Sequence, residues 1–167
     1  MRHLLTTLLA TLLALVLTGC GYHFSGQASG DDIVLDSAHR KLCIRSVENP
    51  TLKPWLESLV RSRVRDEFTK RQIIEWASVK DATADMYIDV TSFTSNSSLK
   101  DSDDVTVKSS ADINLTAKIV SRETGETLWS SGNVSASQTF TTARDAAERR
   151  VVDLALRRLA DRLFEAY

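Results

Sequence analysis

The segment from Val105 to Ile119 constrains the fold most, because apolar and polar residues alternate along its whole length. An alternation of period two places one face of a β-strand against a core and leaves the other face in water. Only Ser109 interrupts the apolar face, and we expect a β-bulge there. The segment therefore predicts a long strand in a sheet that is buried on one face. Its apolar residues are Val105, Val107, Ala111, Ile113, Leu115, Ala117 and Ile119.

Shorter runs on both sides of this segment predict further strands. Residues 41–47 form a short apolar run, 73–77 form a strand stub, and 86–90 alternate between apolar and polar residues. After Ile119 a hairpin loop containing Gly125 leads into a returning strand, roughly 127–138. The inward-facing residues that we expect on that returning strand are Leu128, Val134 and Ala136.

Two segments have the period of an amphipathic helix. The first begins near Pro54, which fits a first helical turn, and its apolar residues recur every four positions. The second follows Thr142 and Asp145, which have the spacing of a capping box. These patterns predict the α+β class: a two-layer sandwich with two amphipathic helices packed on one face of a mainly antiparallel sheet of about four strands. The first apolar stripe is Leu52, Leu56, Val60, Val64 and Phe68, and the second is Val151, Val152, Ala155, Leu156, Leu159 and Leu163.

The first 19 residues have the three parts of a secretory signal. Arg2 and His3 form a positive start, residues 4–17 are apolar, and small residues precede Cys20. The apolar run is shorter than the ~20 residues that a membrane-spanning helix needs. We therefore expect residues 1–19 to be removed.

The segment Leu17-Thr18-Gly19-Cys20 resembles the bacterial lipobox, which implies that Cys20 is lipidated and becomes the first mature residue. An ordinary signal with an incidental cysteine is the alternative. Gly21 stands where an Asp would favour the inner membrane, so we expect anchoring in the outer membrane, facing the periplasm. Residues 20–40 predict a lipidated tether, and residues 41–167 a single folded domain.

The composition and motifs exclude several classes of function. The chain has 21 basic and 22 acidic residues, which gives no electrostatic footprint for nucleic acid. His23 and His39 lack partners at metal-ligand spacing, and no nucleophile or phosphate-binding motif is present, so we expect neither an enzyme nor a bound cofactor or metal. Once Cys20 is lipidated, Cys43 has no partner in the chain. We expect a buried, inert thiol there, with an intermolecular disulfide as the alternative.

Two basic residues are candidates for contact with an anionic glycolipid. Lys100 is the single cation in the polar, turn-forming segment 95–104. Arg144 lies in the first turn of the last helix, where the helix dipole disfavours a cation. Cations grouped at one end of a sandwich can bind phosphate, although Asp101, Asp103 and Asp104 oppose this role for Lys100.

The residues after the lipobox identify a family. Cys20-Gly21-Tyr22-His23-Phe24 resembles the opening of the mature LptE proteins, the lipopolysaccharide-assembly lipoproteins of the outer membrane. Residues 47–51, and the helix that follows with Glu67-Phe68, are similar to that family's strand-to-helix segment. The resemblance implies that the chain assists assembly of an LptD-type outer-membrane β-barrel, plugs it, and contacts lipopolysaccharide, with Lys100 and Arg144 at the corresponding basic positions.

The strand–helix–strand order leaves a second class of function open. Outer-membrane lipoproteins that regulate a peptidoglycan synthase, of the LpoB type, and the amino-terminal domain of TolB have a similar pattern. Such regulators usually have a long tether, whereas a tether of about 20 residues spans at most ~70 Å. A structural envelope lipoprotein without cargo is a third, weaker reading.

Overall fold

The computed structural model describes residues 35–72, 74–99, 107–140 and 144–164. Within these ranges the first element is a short 3-10 helix, Ser37–His39, and six strands and two α-helices follow it. Their order is β1 (Lys41–Glu48), α1 (Trp55–Lys70), β2 (Glu75–Trp76), β3 (Ala84–Leu99), β4 (Val107–Ser121), β5 (Thr127–Ser130), β6 (Val134–Phe140) and α2 (Arg144–Phe164).

The strands form one mixed sheet in the order β2-β1-β3-β4-β5, and β6 also pairs with β4. Strand β1 is parallel to both β2 and β3, because α1 and the loop after it return the chain to the end where β1 starts. The pairs β3–β4, β4–β5 and β4–β6 are antiparallel. The predicted α+β class with two helices is confirmed, but the sheet has six strands in mixed order instead of about four mainly antiparallel ones.

The core lies between one face of the sheet and the two helices, as the alternation in β4 predicts. Leu56, Val60, Val64 and Phe68 of α1 have no exposed surface. From Ala84 to Val90 in β3 and from Ala111 to Ile119 in β4, every second residue is buried against them and against the apolar stripe of α2. The other face of the sheet is polar and partly exposed: Asp85, Tyr87, Asp89, Asp112, Asn114, Thr116 and Lys118.

The structure corrects the apolar stripe predicted for α1. Leu52 has the four-residue spacing of the apolar stripe, but α1 begins at Trp55 and the Leu52 side chain is 98% exposed. Asn49 and Pro50 start a turn that keeps Leu52 outside the helix, so its spacing has no structural consequence.

Two predictions about the strands are also wrong in part. Residues 95–99, predicted as part of a polar loop, continue β3 and pair with β4 as far as Leu99 opposite Val107. No bulge occurs at Ser109, which pairs with Ser97 and Phe140; the irregularity in this ladder lies between Val90 and Ser92.

The returning strand is divided where Gly132 has φ +60°, which gives β5 and β6. In β5, before this break, Trp129 is buried opposite the core residue Ile119. Leu128, which we expected to face inward, is only half-buried. No helix in the described part of the chain is long and apolar enough to cross a membrane.

Candidate binding site where both helices begin

The topology brings several sequence-distant segments to one end of the domain. Strands β1, β3 and β6 run in the same direction and end there, and α1 and α2 each begin there. We call this the helix-start end. Strands β3 and β4 extend about ten residues past the end of β1, a distance of about 33 Å at ~3.3 Å per residue. Strand β6 pairs with β4 from Leu115 to Ser109, so most of this extension is three-stranded, and only its last two residue pairs, up to Leu99 opposite Val107, lie beyond β6.

Of the three site residues predicted from the sequence, Arg144 lies in the described part of the chain, whereas Lys100 and Cys20 do not. Arg144 is the first residue of α2 and its side chain is exposed. Lys100 lies outside the described residues, in the connection between β3 and β4, and Cys20 also lies outside them. The strands that flank Lys100 end and begin at the helix-start end, the same end at which Arg144 lies.

A buried carboxylate joins three elements beneath this end. Glu148, in the second turn of α2, is only 4% exposed. Its Oε1 accepts a hydrogen bond from Lys53 Nζ, at 3.0 Å, and another from the Ser95 hydroxyl of β3. A buried charge is tolerated only when it is paired and hydrogen-bonded, so these two donors fix Glu148 and the segments that carry them. The sequence pattern gives no sign of this cluster because its members are far apart in the chain.

An aromatic pair lies beside the buried carboxylate. Trp55, at the start of α1, meets Phe93 of β3 edge to face, with ring centroids 5.6 Å apart. Trp55 also lines a surface cavity of about 330 Å³ together with Asp145, Glu148 and Arg149. The helix-start end therefore combines aromatic surface with charges of both signs, which is a surface suited to binding.

The opposite ends of the two helices are held together by ion pairs. Arg71 donates to Glu67 at 3.1 Å and also to Asp161 of α2. Burial opposes the charge of Arg71, but its hydrogen bonds to the carboxylates of Asp161 and Glu67 hold its pKa above the ordinary value. Between the helices, Arg63 lies 3.3 Å from Asp153. Several charged side chains of the two helices therefore form ion pairs within the domain.

Two further sequence predictions concern the thiol of Cys43 and the binding of a metal ion. Cys43 is a free thiol in β1 and is 6% exposed, so its predicted burial is confirmed. In the described ranges, no cluster of three or more His, Cys, Asp or Glu side chains is placed to hold a metal ion.

The described domain is a two-layer α+β sandwich with a charged, aromatic-lined end. Residues 40–166 match the family model of LptE, described as lipopolysaccharide-assembly. The match covers nearly the whole described domain, and the chain belongs to the LptE family. The resemblance found in Cys20-Gly21-Tyr22-His23-Phe24 and in the strand-to-helix segment is thereby confirmed at the level of the family. No curated protein sequence gives a significant match.

Several solved structures have a similar fold at low identity. A minor lipoprotein from Acinetobacter baumannii is 14% identical over 75% of this chain and 91% of its own, with a TM-score of 0.47. A Xanthomonas campestris protein of the DUF330 family is 18% identical over 74% of this chain and 81% of its own, with a TM-score of 0.49. A PelC dodecamer from Paraburkholderia phytofirmans is 15% identical over 73% and 88%, with a TM-score of 0.46.

Proposed function

We propose that the protein is an outer-membrane lipoprotein that assists the assembly of an LptD-type β-barrel and plugs it during export of lipopolysaccharide to the cell surface. The observation that carries this proposal is the match to the lipopolysaccharide-assembly family over residues 40–166. The proposed mature chain begins at a lipidated Cys20, which anchors it on the periplasmic side of the membrane; residues 20–40 are the tether and 41–167 the domain.

The surface of the domain suits a barrel interior. Interiors of large outer-membrane barrels are polar. The sheet face that the helices do not cover carries polar side chains at every second position of β3 and β4, among them Asp89, Asp112 and Asn114. On the same face Lys118 Nζ lies 5.3 Å from the ring centroid of Tyr87. A polar wall can pair with such a face without burying unsatisfied groups.

A pull-down tests the barrel partnership. The full chain, tagged after Tyr167 and extracted in detergent, is expected to recover a large outer-membrane β-barrel of the LptD type. Recovery of a peptidoglycan synthase instead would reject the plug in favour of the regulatory alternative. In a parallel experiment, Cys20→Ser is expected to move the protein out of the outer-membrane fraction, because one residue carries the proposed lipid.

The glycolipid contact has its own test. We propose that Lys100 and Arg144 bind phosphate groups of lipopolysaccharide, because the flanks of the β3–β4 connection and the start of α2 lie at the same end. Lys100→Ala with Arg144→Ala is expected to lower binding of purified lipopolysaccharide. A matched control, Lys80→Ala with Arg157→Ala, removes two exposed cations farther from this end. Equal binding by the two double variants would sink the proposal.

A further inference from the structure

Strand β6 forms an edge of the sheet. It pairs with β4 from Val134 opposite Leu115 to Phe140 opposite Ser109, and no other described strand pairs with it. Natural proteins protect such edges from further pairing with charged residues, proline or a β-bulge. The sequence of β6, VSASQTF, has no charged residue and no proline, and its pairing with β4 is regular throughout. This edge can therefore accept a further strand.

The direction of the backbone groups of β6 follows from its pairing with β4. Ala117 of β4 faces this side of the sheet, because its carbonyl accepts from the N–H of Ser131 and its own N–H donates to the Ser131 hydroxyl. Since the direction alternates along an extended strand, the odd-numbered residues 109–115 face the same way and exchange hydrogen bonds with their partners in β6. The residues between those partners point their N–H and C=O groups away from β4. They are Ser135, Ser137 and Thr139, all with exposed side chains.

Two arginines of α2 lie along this edge. Arg158 donates to the carbonyl of Ser135 at 2.5 Å, as expected for a carbonyl that points away from β4, and Arg162 donates to the carbonyl of Ser131. Both arginine side chains are exposed. A guanidinium has five N–H donors, so each arginine can bind a carboxylate while it holds the strand.

The acidic residues of α2 lie away from this edge, because all four contact α1 and its flanking residues or line a cavity there. Glu148 contacts Lys53, Asp153 contacts Arg63, Asp161 contacts Arg71, and Asp145 lines the cavity beside Trp55. Strand β6 is itself uncharged. Arg158 and Arg162 therefore give this edge a positive charge that α2 and β6 do not offset, which favours an acidic partner.

The segments of this chain outside the described ranges are poor occupants of the edge. Residues 141–143 connect β6 to α2 directly and are too few to turn back and run beside β6. Residues 100–106 join β3 to β4, and the position beyond β6 is two to three strand spacings away from those strands, about 10–14 Å. A connection of this length can touch that position but cannot follow it and return. Residues 1–34 join the domain beside β1, toward the other edge of the sheet.

A second copy of the chain and a glycolipid fit this edge less well. Pairing of two β6 strands would bring Arg158 and Arg162 of both copies to one surface with no acidic residue of α2 or β6 between them, and like charges oppose such pairing. Phosphate groups can bind the arginines, but they offer no regular row of donors and acceptors to the backbone of Ser137 and Thr139.

We propose that β6 binds an extended, acidic polypeptide segment of a partner protein by strand addition. The backbone groups of Ser135, Ser137 and Thr139 pair with the added strand, and acidic side chains on its α2-facing side bind Arg158 and Arg162. The main-chain hydrogen bonds supply affinity, and the arginines select acidic sequences. This inference goes beyond the proposed function, because neither the barrel contact nor the glycolipid contact gives β6 a binding partner.

The test measures binding of a synthetic peptide to the full chain in detergent. The probe is a fluorescent ten-residue peptide of alternating glutamate and threonine. One control peptide has the same sequence with an N-methylated backbone, which keeps the charge and blocks strand pairing, and the other has lysine in place of glutamate. Both controls are expected to bind at least about tenfold more weakly than the probe. Equal binding by the N-methylated peptide, or no saturable binding by the probe, would overturn strand addition.

Matched arginine variants test the selection of acidic sequences. Arg158→Gln with Arg162→Gln is expected to lower affinity for the probe about three- to tenfold, because two exposed ion pairs are lost. Arg149→Gln with Arg157→Gln removes the same charge from the same helix, but these side chains line cavities beside α1. This control is expected to bind the probe as the natural chain does. Equal loss of affinity in the two double variants would overturn the role of the arginines.

Amide hydrogen exchange at single residues identifies the occupant of the edge. The N–H groups of Ser137 and Thr139 are expected to exchange quickly in the chain alone and slowly with the probe, whereas those of Ala136 and Gln138, which face β4, are protected in both states. Slow exchange at Ser137 and Thr139 before the probe is added would mean that another segment or a second copy already covers the edge. That result, or protection of the same two amides by purified lipopolysaccharide, would overturn the proposal.

Discussion

The ammonium nitrogen of Lys53 lies 3.0 Å from a carboxylate oxygen of Glu148, which joins the turn before α1 to the second turn of α2. Ser95 of β3 donates to the same carboxylate, so the contact connects both helix starts to the part of β3 that extends beyond β1. Only 5% of the Glu148 side chain is exposed, against 34% for Lys53. The pair therefore fixes the relative position of the segments that carry the candidate binding residues.

Removal of the Lys53 ammonium group is expected to destabilise the domain. Lys53→Met leaves the Glu148 charge buried with one donor fewer, at a cost of about 1–3 kcal/mol in the free energy of unfolding. Glu148→Gln in the same chain removes the stranded charge and is expected to recover part of that loss. Urea-induced unfolding of the two single variants and the double variant measures the coupling. Additive effects would contradict a direct interaction.

Arg122 is expected to order the loop before β3. Its guanidinium donates twice to Asp85 Oδ1, at 2.9 and 2.5 Å, and also to the carbonyls of Val79 and Ala82. Arg122→Met should increase protease cleavage within residues 77–83, measured by mass spectrometry of the fragments. Arg122→Lys should give little rescue, because one ammonium group cannot reproduce a planar fork of donors. If Arg122→Lys is cleaved no faster than the natural chain, the positive charge alone is enough to order this loop.

The contribution of Arg122 is expected to be independent of pH near neutrality. The hydrogen bond to Asp85 raises the pKa of Arg122 above its ordinary value, against the opposing effect of burial. A raised pKa means that the stabilisation is complete below the ordinary value and is lost only as pH rises through the raised one. The difference in Tm between the natural chain and Arg122→Met should therefore be the same at about pH 6 and about pH 9. A Tm difference that becomes smaller between these two pH values would contradict a raised pKa for Arg122.

Much of the fold was predictable because burial imposes a period on the sequence. The alternation in β4 and the stripe Leu56, Val60, Val64 and Phe68 report directly on the core, and both are confirmed. The segment from Ser95 to Leu99 was missed because its strand pairing depends on backbone hydrogen bonds, which leave no apolar pattern. Trp129 was missed because the phase of alternation changes across Gly132, where a positive φ divides the strand.

The site was less predictable than the fold. Arg144 at the start of α2 follows from the helix pattern, and the end at which it lies follows from the topology. Glu148, Lys53 and Ser95 belong to three segments, and only tertiary structure brings them together. The exposure of Leu52 is the reverse case: its spacing favours burial, and the hydrogen bonds of Asn49 override that spacing.

The thiol of Cys43 is expected to be inert in the folded protein. It is almost fully buried in β1, and thiol reactivity requires access as well as the thiolate form. A thiol-reactive chromophore should label Cys43 slowly in buffer and fully in denaturant, with Cys43→Ser as the blank. A disulfide-linked dimer on a non-reducing gel would support the intermolecular alternative.

Leu52 and Leu56 provide a paired test of the corrected apolar stripe. They share the apolar stripe in the sequence, but in the structure one is exposed and the other is in the core. Leu56→Ala should cost about 2–5 kcal/mol of unfolding free energy, because it removes buried atoms and leaves a cavity between α1 and the sheet. Leu52→Ala should change stability by less than about 0.5 kcal/mol, since it removes no core contact. Urea-induced unfolding followed by circular dichroism measures both, and a large loss of stability for Leu52→Ala would return this residue to the helix stripe.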